Sequence, residues 1–116
     1  MSRYENDANE LLTLCRHGML STISVSQGGY PFGSIAPYDI DGRGRFVIYV
    51  SRIAEHYKNL AADPRSSLAV ADPFGPLDPQ AGARATVLLD FEPVPEPEVP
   101  SVRAAYEARF PDSVNH

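Results

Sequence analysis

The chain has 116 residues, 43% of them hydrophobic and 22% charged, proportions that fit a single globular domain and exclude a disordered or fibrous chain. Ten basic against fifteen acidic side chains leave a formal net charge of −5, which disfavours whole-surface attraction to nucleic acid or to an anionic membrane. One cysteine, Cys15, rules out an internal disulfide and a multi-cysteine metal centre, and no apolar run approaches the roughly 20 residues that span a bilayer.

Tyr4, Ala8, Leu11, Leu12 and Cys15 recur at helical spacing, so a helix is predicted over 4–16 with Gly18 as its stop. Met19 to Ser26 then alternates Ser21, Ile23 and Val25 against Leu20, Thr22 and Ser24, the pattern of a strand. Gln27-Gly28-Gly29-Tyr30-Pro31 supplies the turn of a hairpin whose second strand runs from Phe32 to Asp39. After a second turn at Asp41-Gly42-Arg43-Gly44, Arg45 to Ser51 (RFVIYVS) carries the strongest strand signal of the chain. The period changes to 3.6 at Ile53, Tyr57, Leu60 and Ala61, a short helix ended by Asp63-Pro64. Arg65 to Asp72 and Ala83 to Phe91 read as the last two strands, the latter with Ala85, Val87, Leu89 and Phe91 on one face. Four prolines between Pro93 and Pro100 forbid regular pairing, and Ser101 caps a final helix that stops at Pro111.

The predicted architecture is mainly β with flanking helices. Antiparallel strands joined by hairpins favour closure into a small barrel, with an open two-layer sandwich as the alternative.

The segment from Ser51 to Leu60 is the best candidate for chemistry. A strand that ends in a hydroxyl and turns into a helix directs backbone N–H groups and the positive helix end at one spot, which suits an anion such as a phosphate. Ser51 can donate to it, and His56 and Asn59, three apart, share a helix face distinct from that of the apolar Ile53, Tyr57 and Leu60, and an outward one is expected. The plainer alternative is an N-cap serine beside a solvated helix face. Cys15-Arg16-His17 offers no third ligand at usable spacing, so no metal site is expected, with Cys15 buried and His17 exposed. His116, at the terminus, provides no ground for an axial ligand, and the serines lack the strained elbow of a hydrolase. Phe46 and Ile48 read as packing residues and Tyr49 as ligand-facing.

The string from Gly29 to Leu68, together with Gly18-Met19-Leu20-Ser21-Thr22 and Arg84-Ala85-Thr86-Val87, resembles the flavin-binding split-barrel proteins similar to pyridoxamine-5′-phosphate oxidase, and within them the haem-utilisation branch. Its most specific part is the spacing Ser51…Ala54…His56…Asn59-Leu60…Asp63-Pro64-Arg65…Ser67-Leu68. The resemblance implies a single split-barrel domain over 1–116, with FMN at the interface of a homodimer. It also implies that the backbone of Ser34, Ile35 and Ala36 faces the flavin ring, that Ser51, His56 and Asn59 lie near its phosphate, and that Arg84 is a further cofactor contact. Where the pyridoxamine-phosphate oxidases carry an adjacent Arg-Lys pair, this chain has Glu55 and His56; where they tend to have glycine, it has Asp90. Relatives continue through at least one more strand, so an incomplete barrel is expected. The implied function is that of an FMN-dependent oxidoreductase of unknown substrate, with a haem-related role open, and the N-terminal MSRYENDANE, without the apolar stretch of a secretory signal, sets the expectation of a cytoplasmic location. The alternative is a non-enzymatic module that binds or senses flavin or haem.

Overall fold

The computed structural model describes residues 3–78 and 80–115, with side chains described within 7–113. The predicted packing of Tyr4 and the terminal His116 therefore lie outside the described residues. In chain order the elements are helix α1 (Arg3–Leu14), strands β1 (His17–Ile23), β2 (Pro31–Pro37), β3 (Asp39–Ile40) and β4 (Phe46–Val47), helix α2 (Glu55–Ala62), strands β5 (Arg65–Ala71) and β6 (Arg84–Asp90), and helix α3 (Val99–Arg109), with 3-10 turns at Glu96–Glu98 and Pro111–Asn115. The mainly β architecture with flanking helices stands as predicted.

Two sheets form. β2, β1, β5 and β6 make a four-stranded antiparallel sheet in that order, and β3 pairs with β4 alone. The hairpin between β1 and β2 turns where Gly28 and Gly29 take φ of 66° and 89°, values that glycine adopts without steric cost. At the second predicted turn the Asp41 carboxylate accepts the backbone N–H groups of Arg43 and Arg45 and the Arg45 guanidinium.

The inner face of the large sheet carries Leu20, Ala36, Leu68 and Val70, and α1 with the residue that follows it lays Leu11, Leu12 and Cys15 over it. Tyr38, fully buried, closes the core from the start of the small ribbon, and its hydroxyl donates to the Leu12 carbonyl. Ala85, Val87 and Leu89 face the same core, as their alternation predicted, while Arg84, Thr86, Leu88 and Asp90 point outward. The C-terminal helix is tied down by Tyr106, which is buried, and by the Arg109 guanidinium, which donates to the Cys15 carbonyl at 3.0 Å.

Four expectations need correction, the first at the last helix, which starts at Val99 with Glu98 as its N-cap, so that Ser101 lies inside it and its hydroxyl donates to the Glu98 carbonyl. Gly18 is not the stop of α1: the helix ends at Leu14, and Gly18 lies within β1 opposite Ala36. The predicted strand 45–51 shrinks to Phe46–Val47, because its ladder partner is only the two-residue β3, so the meander does not extend into a third long strand. The helix after it starts at Glu55, four residues past Ser51 rather than directly upon it.

Candidate functional site

Leu20, Thr22 and Ser24 occupy the inner phase of β1 and the residue just beyond it, so the strand that begins with an apolar core residue ends in two buried hydroxyls. Buried hydroxyls need partners: Ser24 Oγ accepts the Gln27 backbone N–H at 2.9 Å in the turn that follows, and α2 provides the partners of Thr22. His56 Nδ1 lies 2.9 Å from Thr22 Oγ1 and its Nε2 2.6 Å from Ser34 Oγ on β2. The Asn59 amide donates to Thr22 Oγ1 at 3.0 Å, and Asn59 Oδ1 accepts the Val25 backbone N–H at 3.0 Å. The Phe32 ring meets the imidazole edge-on at 5.1 Å. Burial lowers the His56 pKa, so the neutral ring is favoured. With its proton on Nε2, every group is used in sequence: Asn59 donates to Thr22, Thr22 to Nδ1, and Nε2–H to Ser34.

This arrangement reverses the predicted orientation of α2. His56 and Asn59 do share a face, but it is the packed one, and Asn59 is fully buried. Ile53, expected to pack, is 83% exposed. The reason is the polar inner end of β1, which rewards side chains that hydrogen-bond over side chains that are merely apolar. Ser51 is exposed and outside the network; its Oγ accepts the Ile53 N–H at 3.4 Å, and the residue preceding α2 is Ala54, without a side-chain cap. Glu55 turns to the surface, where it accepts the Ser26 hydroxyl and pairs with Lys58. Tyr49 is half-exposed and its ring packs on Tyr106 at 6.0 Å. Phe46 and Ile48 pack against the core, as expected.

Ser34, Ile35 and Ala36 alternate across β2. Ser34 and Ala36 point inward, to His56 and to the core, while Ile35 points outward. Ile35 and Arg84 meet a different feature, an open cleft of about 860 Å³ on the outer face of the large sheet, bounded at one end by the loop after β5. Its lining includes four large apolar residues that are exposed, Leu14, Met19, Ile35 and Phe74, together with His17, the basic Arg16 and Arg84 and the acidic Asp72. Burial pushes the Cys15 thiol pKa up, and its Sγ is turned to the Ala71 carbonyl, so Cys15 presents no thiolate there. Of the predicted site residues, the fold thus gathers Ser34, His56 and Asn59 in one network and Ile35 and Arg84 on one cleft, and leaves Ser51 apart. Thr22, the hub of the network, is the residue that sequence reasoning missed; its phase with Leu20 was the available signal. Among the described residues no cluster of three metal-ligating side chains occurs, and no described helix is long and apolar enough to cross a membrane.

A family model described as CREG, beta-barrel, matches residues 3–116. The chloroplastic heme oxygenase HOZ of Arabidopsis thaliana is 40% identical over 95 residues, which make up 81% of this chain and 28% of that protein. The chain thus spans under a third of the length of this curated relative. Among solved structures, a heme binding protein from Mycobacterium smegmatis is 34% identical with a TM-score of 0.79, over 90% of this chain and 42% of that one. Atu2129 of Agrobacterium tumefaciens, described as of unknown function, is 26% identical with a TM-score of 0.88, over 100% of this chain and 49% of that one.

Proposed function

Since the chain belongs to the CREG β-barrel family, we propose that it is a haem-binding module whose macrocycle lies in the cleft on the outer sheet face. The observation that carries this reading is the clustering of Leu14, Met19, Ile35 and Phe74, all exposed, around one cleft of about 860 Å³ that also holds basic side chains. Soluble proteins rarely leave large apolar side chains together in water without an occupant, and the volume is within the usual range for cofactor sites. A flat apolar disc with carboxylates on its rim matches those walls. Two relatives carry haem in their names, one an oxygenase and one a binding protein, and this supports the choice of ligand. When bound, haem supplies an iron centre for ligand binding or redox chemistry; the chain supplies the apolar walls and two arginines, Arg16 and Arg84, against one carboxylate, Asp72.

Hemin titrated into the protein is expected to give a Soret band that saturates at a defined stoichiometry. Ile35→Glu, which places a carboxylate on the cleft floor, is expected to weaken binding by at least about tenfold. Linear, unsaturating absorbance from the wild-type protein would sink the reading.

A flavin reading is favoured by one arrangement: β2 is an edge strand with a single ladder neighbour, and it sets Ser34 against His56. Under it FMN rests along Ser34, Ile35 and Ala36, with Ser51, His56, Asn59 and Arg84 as contacts, and the protein is an FMN-dependent oxidoreductase. Because the His56 and Asn59 side chains are already hydrogen-bonded, a phosphate gripped by them would have to displace those bonds. Quenching of FMN fluorescence that Ser34→Ala and His56→Ala abolish is the result expected of that reading; an absence of quenching in the wild type counts against it. In either case a homodimer that covers the outer sheet face is part of the proposal.

A further inference from the structure

We propose that His17 is the protein ligand to haem iron in the cleft and that Arg84 pairs with a carboxylate on the rim of the same haem; the proposal rests on the haem-binding reading above. The chain has three histidines. Both ring nitrogens of His56 are occupied, by Thr22 and Ser34, and the ring is buried beneath α2; ligation would break the network that holds the helix. His17 opens β1 on the cleft wall, is exposed, and its side chain makes no hydrogen bond or ion pair among the described residues.

The ladder places the two proposed contacts. Met19 lies opposite Ala69 on β5, and Ala69 opposite Thr86 on β6. The β1–β5 ladder ends at Met19, so His17 lies two residues beyond it on the same exposed phase of β1, while on the far side Ala71 lies opposite Arg84. His17 on β1 and Arg84 on β6 therefore line one cleft from the two sides of β5. Alanines 69 and 71 lie between them, so the floor is flat. Arg84 makes no ion pair among the described residues, which leaves its planar guanidinium free for a bidentate carboxylate contact. An imidazole and a guanidinium on the two sides of a flat apolar floor fit an iron at the centre of a disc and a carboxylate at its edge. Met19, in phase with His17 on the same wall, is the competing ligand that the test must separate.

Hemin is titrated into the full chain and into His17→Ala, Met19→Leu, His116→Ala and Arg84→Glu, with absorption and electron paramagnetic resonance spectra recorded in the ferric state. Circular dichroism checks that each variant is folded. The expected result is a wild-type histidine-ligated spectrum that is lost in His17→Ala, restored there by added imidazole, and retained in Met19→Leu and His116→Ala. Arg84→Glu is expected to weaken hemin binding by at least about tenfold while the ligand-field signature stays. A wild-type protein that takes up no hemin overturns the haem reading itself. Saturable hemin binding with a spectrum unchanged in His17→Ala, or one lost in His116→Ala or Met19→Leu instead, overturns the ligand assignment and leaves the haem reading standing.

Discussion

His56 is held between two hydroxyls, Thr22 and Ser34, with an aromatic edge against it and a buried amide one step further along. A protonated ring would have to donate from both nitrogens. Thr22 Oγ1 would then accept from His56 and from Asn59 together, leaving its own hydrogen without a partner in the network. Burial and this hydrogen-bond count act in the same direction and lower the pKa of the folded protein below the value of about 6.5 that an unfolded chain shows. The unfolded state therefore binds more protons between the two values, so stability rises with pH across that window and is lost as pH falls below about 6.5 toward the folded pKa. The melting temperature of the wild type is accordingly expected to drop more steeply between about pH 7.5 and about pH 5.5 than that of His56→Gln, which keeps a hydrogen-bonding amide and does not titrate. Parallel profiles for the two proteins would show that another group sets the slope. That His56 and Asn59 share a face was legible from their spacing of three. Which way the face points was not, because hydropathy ranks Ile53 and Tyr57 as the packing side, whereas the Thr22 hydroxyl that awaits partners belongs to a strand more than thirty residues away.

At the scale of elements, the long strands were legible because each reports its own pattern: alternation defines the two faces of β1 and β6, and glycine marks the turn between β1 and β2. β4 was misjudged for the opposite reason. Strand preference measures how a segment fits a pleated, partly buried surface, and a ladder also needs a neighbour of equal length. Ile48 is spent on the core and Tyr49 on α3, and β3 offers only two residues. Gly18 gives a sharper case. A Cβ there would stand 2.7 Å from the Ala69 carbonyl oxygen and 2.9 Å from Val70 Cγ1, so the glycine is required by the close approach of β5 to β1 and not by a helix end. Because the nearest atom is backbone, the strain cannot be relieved by a rotamer change. Gly18→Ala is expected to cost about 1–3 kcal/mol in urea unfolding. Gly42→Ala, where an added Cβ meets nothing within 4 Å, is expected to stay within about 0.5 kcal/mol. Equal midpoints for the two variants would refute the packing account.

For the whole molecule the decisive asymmetry is between the two faces of the large sheet. The inner face is covered by α1 and by the small ribbon. The outer face carries Met19, Ile35 and Leu88 at 41%, 61% and 82% exposure, spaced by Gly33, Ser21, Ser67 and Ala69. Small residues between apolar ones leave a flat surface, and a flat apolar sheet face in water favours association. A second copy of the same chain is the occupant proposed here, since an isologous pairing would cover both exposed faces at once and close the two clefts from above. Leu88 lies level with Ser67 and outside the cleft, so it separates the interface from the ligand. Leu88→Glu is expected to convert a wild-type dimer into a monomer by sedimentation velocity, by placing two like charges near the shared axis or desolvating each against apolar surface. Its hemin spectrum should retain the wild-type ligand signature if His17 is the ligand, because that contact lies within one chain. A wild-type chain that sediments as a monomer at every concentration defeats the association. A dimeric Leu88→Glu shows that the copies meet elsewhere and that the outer face must be covered by something other than its own copy.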